Sequence, residues 1–217
     1  GSNAQRFKTV ICDTDNDGDL DLYTAVREPS GALDMLWVND GGVFSAGWTE
    51  PAAPNNYSAA CSDLDGDGYN DIVIAVDGGP ERVYRNLGGN QFAQAWSDGS
   101  FGPDFDVATG DYDGDGDQDL AFAGNGKVRV MRNDGAMTFS LAADLAFASY
   151  GVAWLDADRD GDLDLLVSGL TGAGQTRLLR NDAGSFTSVW TSGEEAEGDV
   201  AVADFDADGR LDALIGN

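Results

Sequence analysis

Short apolar runs of four to seven residues recur along the chain, separated by glycine, asparagine and aspartate turns. None shows the 3.6-residue period of an amphipathic helix, so the pattern predicts strands throughout. The runs fall into units of one plan. The first run ends just before an aspartate-rich segment, with Val10, Ala60, Ala108, Ala153 and Ala201 three residues ahead of it. A second run follows the segment at once. A third closes on Asn39, Asn86, Asn133 or Asn181, and a fourth opens at Phe44, Phe92, Phe139 or Phe186. The aspartate segments span 13–21, 63–71, 111–119, 156–164 and 204–212, which sets a period of 45–50 residues. Four short antiparallel strands per period predict an all-β fold, a β-propeller of four-stranded blades. In that fold the aspartate loop joins the first and second strands of each blade. Small residues in the first run suit inner strands crowded about an axis. The count is four full blades and half of a fifth.

Residues 1–4 (Gly-Ser-Asn-Ala) read as an expression scar. Residues 5–217 read as a single propeller domain or an excerpt of one, with units beginning near 7, 57, 105, 150 and 198. Three alternatives stay open for the fifth unit. Its blade is two-stranded, or further blades of a longer chain follow, or a neighbouring chain completes it.

Composition then narrows the function. Acidic side chains number 39 against 12 basic ones, the net charge is −27, and histidine is absent. Without a basic patch, nucleic acid is an unsuitable partner, and no segment is suited to membrane insertion. Without histidine, the commonest general base and zinc ligand are missing. The acid is also localised, for 23 of the 33 aspartates lie in the five segments. A solvated acidic coat would spread them.

Each segment reads Asp-x-Asp-x-Asp-Gly-x-x-Asp. In a tight loop, carboxylates at positions 1, 3 and 5 converge: Asp13, Asp15 and Asp17; Asp63, Asp65 and Asp67; Asp111, Asp113 and Asp115; Asp156, Asp158 and Asp160; Asp204, Asp206 and Asp208. Glycine at position 6 permits the sharp turn. Position 7 (Asp19, Tyr69, Asp117, Asp162, Arg210) varies freely, as expected of a residue that offers only its backbone carbonyl. The closing carboxylate at position 9 (Asp21, Asp71, Asp119, Asp164, Asp212) begins the next strand and completes the set, in bidentate fashion. Six or so hard oxygen ligands, four of them charged, suit Ca²⁺ better than Mg²⁺ or a transition metal. The expectation is about five Ca²⁺, one per loop, which would bring the charge from −27 to −17. Unneutralised, such clusters repel themselves by several kcal/mol.

These loops, together with the stretches from Arg85 to Phe92 and from Arg180 to Phe186, resemble the FG-GAP/VCBS repeat family, whose blades are similar to those of the integrin α-subunit N-terminal propeller. The resemblance covers the chain beyond the scar. It implies a calcium-stabilised propeller from a secreted or cell-surface protein, its signal peptide lying outside these residues. It also implies an adhesion or ligand-binding module for a protein or glycan. The coupling of ion binding to folding points to structural calcium, and with most aspartates taken up as metal ligands the residues point to no catalysis. Other readings are the propeller of a carbohydrate-active enzyme of polysaccharide lyase type, and a spacer beside a catalytic domain of the parent chain. No Tyr/His or Lys/Arg constellation supports the lyase.

Strand alternation puts Cys12 and Cys61 on opposite faces of neighbouring inner strands, which favours two buried thiols over a disulfide. Trp48, Trp96 and Trp190 lie four residues after the repeated phenylalanine and read as blade packing. Ligand contacts are sought where the units repeat least: the segments 51–57, 98–105, 144–150 and 193–198 entering each inner strand, and the loops 27–34, 77–81 and 170–176. Phe101, Phe147 and Tyr150 are the candidate contact residues.

Overall fold

The computed structural model describes residues 6–27, 33–51, 55–99, 102–170, 174–194 and 198–216. Every regular element among them is a strand, and no helix is long and apolar enough to cross a membrane. The expected blades are present. Strands β1 (Arg6–Cys12), β2 (Asp21–Arg27), β3 (Met35–Asp40) and β4 (Val43–Thr49) form one antiparallel sheet in sequence order. The same order holds for β5 (Asn56–Ser62), β6 (Asp71–Gly79), β7 (Arg82–Asn86) and β8 (Phe92–Ser97). It recurs in β9 (Gly102–Gly110), β10 (Asp119–Gly124), β11 (Val128–Asn133) and β12 (Phe139–Leu145). A fourth set is β13 (Ser149–Leu155), β14 (Asp164–Gly169), β15 (Arg177–Asp182) and β16 (Ser185–Thr191). A two-stranded sheet of β17 (Val200–Ala203) and β18 (Asp212–Ile215) follows.

Two compact units are distinguished: residues 1–103 with 135–138, and residues 104–134 with 139–217. Within each, two sheets stack face to face, and the parity of the contacts is the same. In the first unit Tyr23 and Ala25 of β2 share a core with Ile72 and Ile74 of β6. In the second, Ala121 and Ala123 of β10 share a core with Leu165 and Val167 of β14. Counted from the first aspartate of each loop, the earlier sheet contributes positions 11 and 13 and the later sheet positions 10 and 12. Equivalent sheets stacked in the same sense meet front to back. Side chains alternate along a strand, so facing residues come from opposite parities. Middle strands buried on both faces, such as β10 and β14, are accordingly apolar at nearly every position.

This geometry overturns the expectation for the cysteines. Cys12 and Cys61 form a disulfide, with Cα atoms 6.4 Å apart and 49 residues between them in sequence. They do lie on opposite faces of equivalent strands, as alternation requires, but opposite faces are the ones that meet across the seam. Cys12 shares parity with Val10 and Cys61 with Ala59; Ala59 belongs to the core of the first unit and Val10 packs against it. In the second unit the corresponding pair is Gly110 and Trp154. A Cβ on Gly110 would stand 2.8 Å from the indole, so glycine is required there for the ring to close the seam. Tyr112 stacks on the same indole, 5.8 Å between centroids.

The repeated tryptophans divide. Trp48 packs as expected, against Tyr23, Tyr84 and Phe92. Trp190 is instead 51% exposed. With Leu155, Leu166 and Leu178 it lines a cavity of about 540 Å³ that Arg210, Leu211 and Ala213 also line.

Candidate metal centre

Each loop begins where the first strand ends, and its ninth residue opens the second strand. The glycine at position 6 has positive φ in all five loops, 94°, 91°, 98°, 99° and 81° at Gly18, Gly68, Gly116, Gly161 and Gly209. Position 4 is left-handed as well, at Asn16, Gly66, Gly114, Arg159 and Ala207. Two left-handed residues in a nine-residue span coil the chain tightly enough for its carboxylates to converge.

They do converge. Carboxylate oxygens of Asp13, Asp15 and Asp17 lie within 4.8 Å of one another, as do those of Asp111, Asp113 and Asp115. In the other loops the groups are Asp63, Asp65 and Asp71; Asp156, Asp158 and Asp164; and Asp204, Asp206 and Asp212. Positions 1 and 3 are common to all five, while position 5 or position 9 supplies the third member. Asp67, Asp160 and Asp208 at position 5 accept the backbone N–H of position 7 (Tyr69, Asp162 and Arg210) at 2.8–3.0 Å. The same bond is made by Asp17 with Asp19 and by Asp115 with Asp117. Among the position-7 side chains, Asp19 turns outward to accept the N–H of Gly41 at 2.7 Å.

The ninth aspartate is a keystone of each blade. Its Oδ2 accepts the backbone N–H of position 2 in every loop, from Thr14, Leu64, Tyr112, Ala157 and Phe205 to Asp21, Asp71, Asp119, Asp164 and Asp212, at 2.8–3.1 Å. Its Oδ1 accepts the N–H of the third-strand asparagine in four, from Asn39, Asn86, Asn133 and Asn181, at 2.7–2.8 Å. Asp21, Asp71, Asp119 and Asp164 are buried, and burial pushes the carboxyls of Asp71 and Asp119 up to about 7. Burial raises Asp164 and Asp113 too, each with a smaller push from neighbouring aspartates.

Loop 1 shows most plainly that its carboxylates suit a cation. Asp13 Oδ1 and Asp15 Oδ1 are both buried and have no hydrogen-bond partner. Buried carboxylate oxygens without partners are costly, and a cation between them removes that cost. An all-oxygen set of this kind fits a hard divalent ion.

The sequence reading overlooked two features. The first is the third-strand asparagine. Its side chain ties the loop of its own blade to that of the blade before. Asn86 donates to the carbonyl of Thr14 at 2.7 Å and to that of Asn70 at 2.9 Å, and Asn181 donates to Tyr112 at 2.8 Å and Leu163 at 3.1 Å. The second lies at the opposite end of the blades in the first unit, where Asp34, Glu50, Asn56 and Arg82 are buried together. Arg82 Nε reaches Glu50 at 2.8 Å, Tyr84 donates to Glu50 at 2.8 Å, and Val26 N–H donates to Asp34 at 2.8 Å. Burial raises both carboxyls, with Arg82 opposing the shift in each. A signal was present, since Asp34, Glu81 and Thr176 all stand five residues before the asparagine.

Of the candidate ligand contacts, Tyr150 stacks with Phe105 at 5.7 Å, at the end of β13 far from the aspartate loop. Phe147 packs on the core of the second unit beneath Arg177, 5.3 Å from the ring centroid. Phe101 lies outside the described residues, as do parts of the segments 27–34, 51–57, 170–176 and 193–198.

The sequence profile of FG-GAP-like repeats matches four times, over residues 13–74, 63–122, 111–167 and 156–215. No curated protein sequence matches the chain. Among solved structures it is similar to an Agrocybe aegerita lectin described as recognising non-reducing terminal N-acetylglucosamine, at TM-score 0.61 and 19% identity over 97% of this chain and 60% of the lectin. It is similar to BBS1N, solved in complex with ARL6DN, at TM-score 0.59 and 12% identity over 88% of this chain and 57% of that one. It is also similar to the V. cholerae biofilm matrix protein Bap1, at TM-score 0.54 and 19% identity over 98% of this chain and 34% of Bap1. The chain thus spans 60% or less of each. At these identities the likeness concerns the fold.

Proposed function

Since this chain belongs to the family of FG-GAP-like repeat proteins, we propose that it is a calcium-stabilised extracellular binding module that takes a protein or glycan ligand and carries out no catalysis. The observation that carries the calcium reading is the pair of buried, partnerless oxygens on Asp13 and Asp15, in a loop whose donors are all oxygen. The aspartates at positions 1, 3 and 5, the carbonyl of position 7 and the aspartate at position 9 would hold the ion. Bound there, Ca²⁺ supplies positive charge to clustered carboxylates and does no redox or acid–base work. An unfolded chain presents no such site, so the affinity of the ion adds to the stability of the fold.

The lectin and the biofilm matrix protein among the structural neighbours support binding or adhesion as the role. The disulfide is compatible with an extracellular setting. The ligand would meet the end of the blades opposite the aspartate loops, where Tyr150 lies and the sequence repeats least.

Thermal melts in chelator, in Ca²⁺ and in Mg²⁺ test the calcium reading. The expected result is a melting temperature that drops in chelator and is restored by Ca²⁺ far more than by Mg²⁺. An identical melt in all three overturns it. Glycan and protein arrays with and without Ca²⁺ test the binding role, and a blank result in both favours a spacer. Turnover of uronate polysaccharides would refute the absence of catalysis.

A further inference from the structure

The five loops share one ligand pattern, yet their surroundings differ in one residue that recurs in register. The residue before the third-strand asparagine is Val38, Arg85, Arg132 or Arg180 in the four complete blades. One of the three arginines pairs differently from the other two. Arg85 turns onto its own loop, Nε 2.6 Å from Asp65 Oδ2 and a terminal nitrogen 2.9 Å from Asp67 Oδ2. Arg132 pairs with Asp134, its Nε 2.6 Å from Oδ1, and Arg180 pairs with Asp182 at 2.8 Å.

The sequence two residues on accounts for the difference. Arg132 and Arg180 each have an aspartate at that place, in the turn to the fourth strand, and it takes the ion pair, leaving the arginine only a longer-range pull on its loop, on Asp113 from Arg132 and on Asp158 and Asp160 from Arg180. Arg85 has Leu87 there, 58% exposed and unable to pair. With no acid in the turn, the nearest carboxylates left to Arg85 are the loop's own. Blade 1 has no arginine at this place. Val38 packs against the core of the first unit, and loop 1 is the one that keeps two buried oxygens without a partner.

We propose that Arg85 gates the second calcium loop, so that this site takes Ca²⁺ more weakly than loops 1, 3 and 4, and that the residue two positions beyond the arginine sets the gate. The proposal rests on the calcium reading above. A guanidinium on positions 3 and 5 must leave two carboxylates before both turn to the ion, and while it stays near it repels a divalent charge. Together these weaken the site by a few-fold, the scale of an exposed ion pair. The outcome is graded loading, with loop 1 filling early and loop 2 late, and with loop 2 partly neutralised by its own arginine when calcium is low.

The test is calorimetric Ca²⁺ titration of the intact chain, with Tb³⁺ luminescence excited through Tyr69 to follow loop 2 and Tyr69→Phe to confirm that signal. Leu87→Asp, at an exposed site, is expected to draw Arg85 outward and tighten loop 2 by a few-fold. Arg85→Gln is expected to tighten it similarly, and Leu87→Asp added to Arg85→Gln to give little more. Asp134→Leu is expected to release Arg132 onto loop 3 and weaken that loop instead. Loop affinities unchanged in all four variants overturn the gate while leaving calcium binding intact. So does an equal tightening by Leu87→Asp with and without Arg85, which reports only the added negative charge. No Ca²⁺ uptake by any variant or by the parent chain overturns the calcium reading and the gate with it.

Discussion

Reducing the bond between Cys12 and Cys61 removes the one disulfide cross-link between the first two blades among the described residues. The two cysteines are 49 residues apart in sequence. A cross-link closing a loop of that length stabilises the fold by about 4 kcal/mol, through the freedom it denies the unfolded chain. If the whole chain melts together, the loss lowers the melting temperature by about 8–16 °C. The assay is urea unfolding of oxidised protein, reduced protein and the Cys12→Ser/Cys61→Ser variant, all in saturating Ca²⁺ so that the loops stay loaded. Reduced and substituted proteins should lose similar amounts, and a non-reducing digest should link the peptides around residues 12 and 61. Coincident unfolding curves for oxidised and reduced protein would refute the entropic argument. Two alkylatable thiols in unfolded, never-reduced protein would refute the pairing itself.

Three further outcomes are expected. Gly110→Ala places a methyl 2.8 Å from the Trp154 ring and should cost about 1–3 kcal/mol by overpacking, read as a lower urea midpoint with an unchanged slope. Ala207→Gly relieves a left-handed alanine (φ 61°) in loop 5 and should stabilise that hairpin by about 1 kcal/mol, seen as slower amide exchange over 200–215. The third concerns pH. Asp71 and Asp119, raised from 3.8 to about 7 by burial, hold their protons longer in the fold than in the unfolded chain. In chelator, stability should therefore fall as pH rises from about 4 to about 7, and Asp71→Asn should flatten that slope. A slope of the opposite sign would show that these carboxyls are ionised in the metal-free fold.

The strands, their grouping in fours and the glycine of each loop were legible because each depends on residues close in sequence. Alternation marks a strand and a left-handed turn calls for glycine, wherever the rest of the chain goes. The second left-handed position was half legible: Asn16, Gly66 and Gly114 announce it, whereas Arg159 and Ala207 hide it under side chains that do not favour the conformation. The disulfide was misread because alternation was applied to the strands singly, while the contact is governed by front-to-back stacking of whole sheets. The asparagine latch depends on a carbonyl 72 residues away, that of Thr14 for Asn86, and nothing local announces it. Trp48 and Trp190 occupy the same place in their blades, yet one is covered by Tyr84 and Phe92 and the other is open. What decides their fate is a neighbouring strand pair and not the tryptophan.

The seam position that carries the disulfide in the first unit is filled in the second by Trp154 lying against Gly110. One closure can be undone by electrons and the other cannot. Where thiols are kept reduced, the first two blades lose their cross-link and keep only their shared core and the Asn86 latch, while the Gly110–Trp154 closure is untouched. Redox conditions therefore act directly on the seam between blades 1 and 2, and damage from a reducing environment begins there.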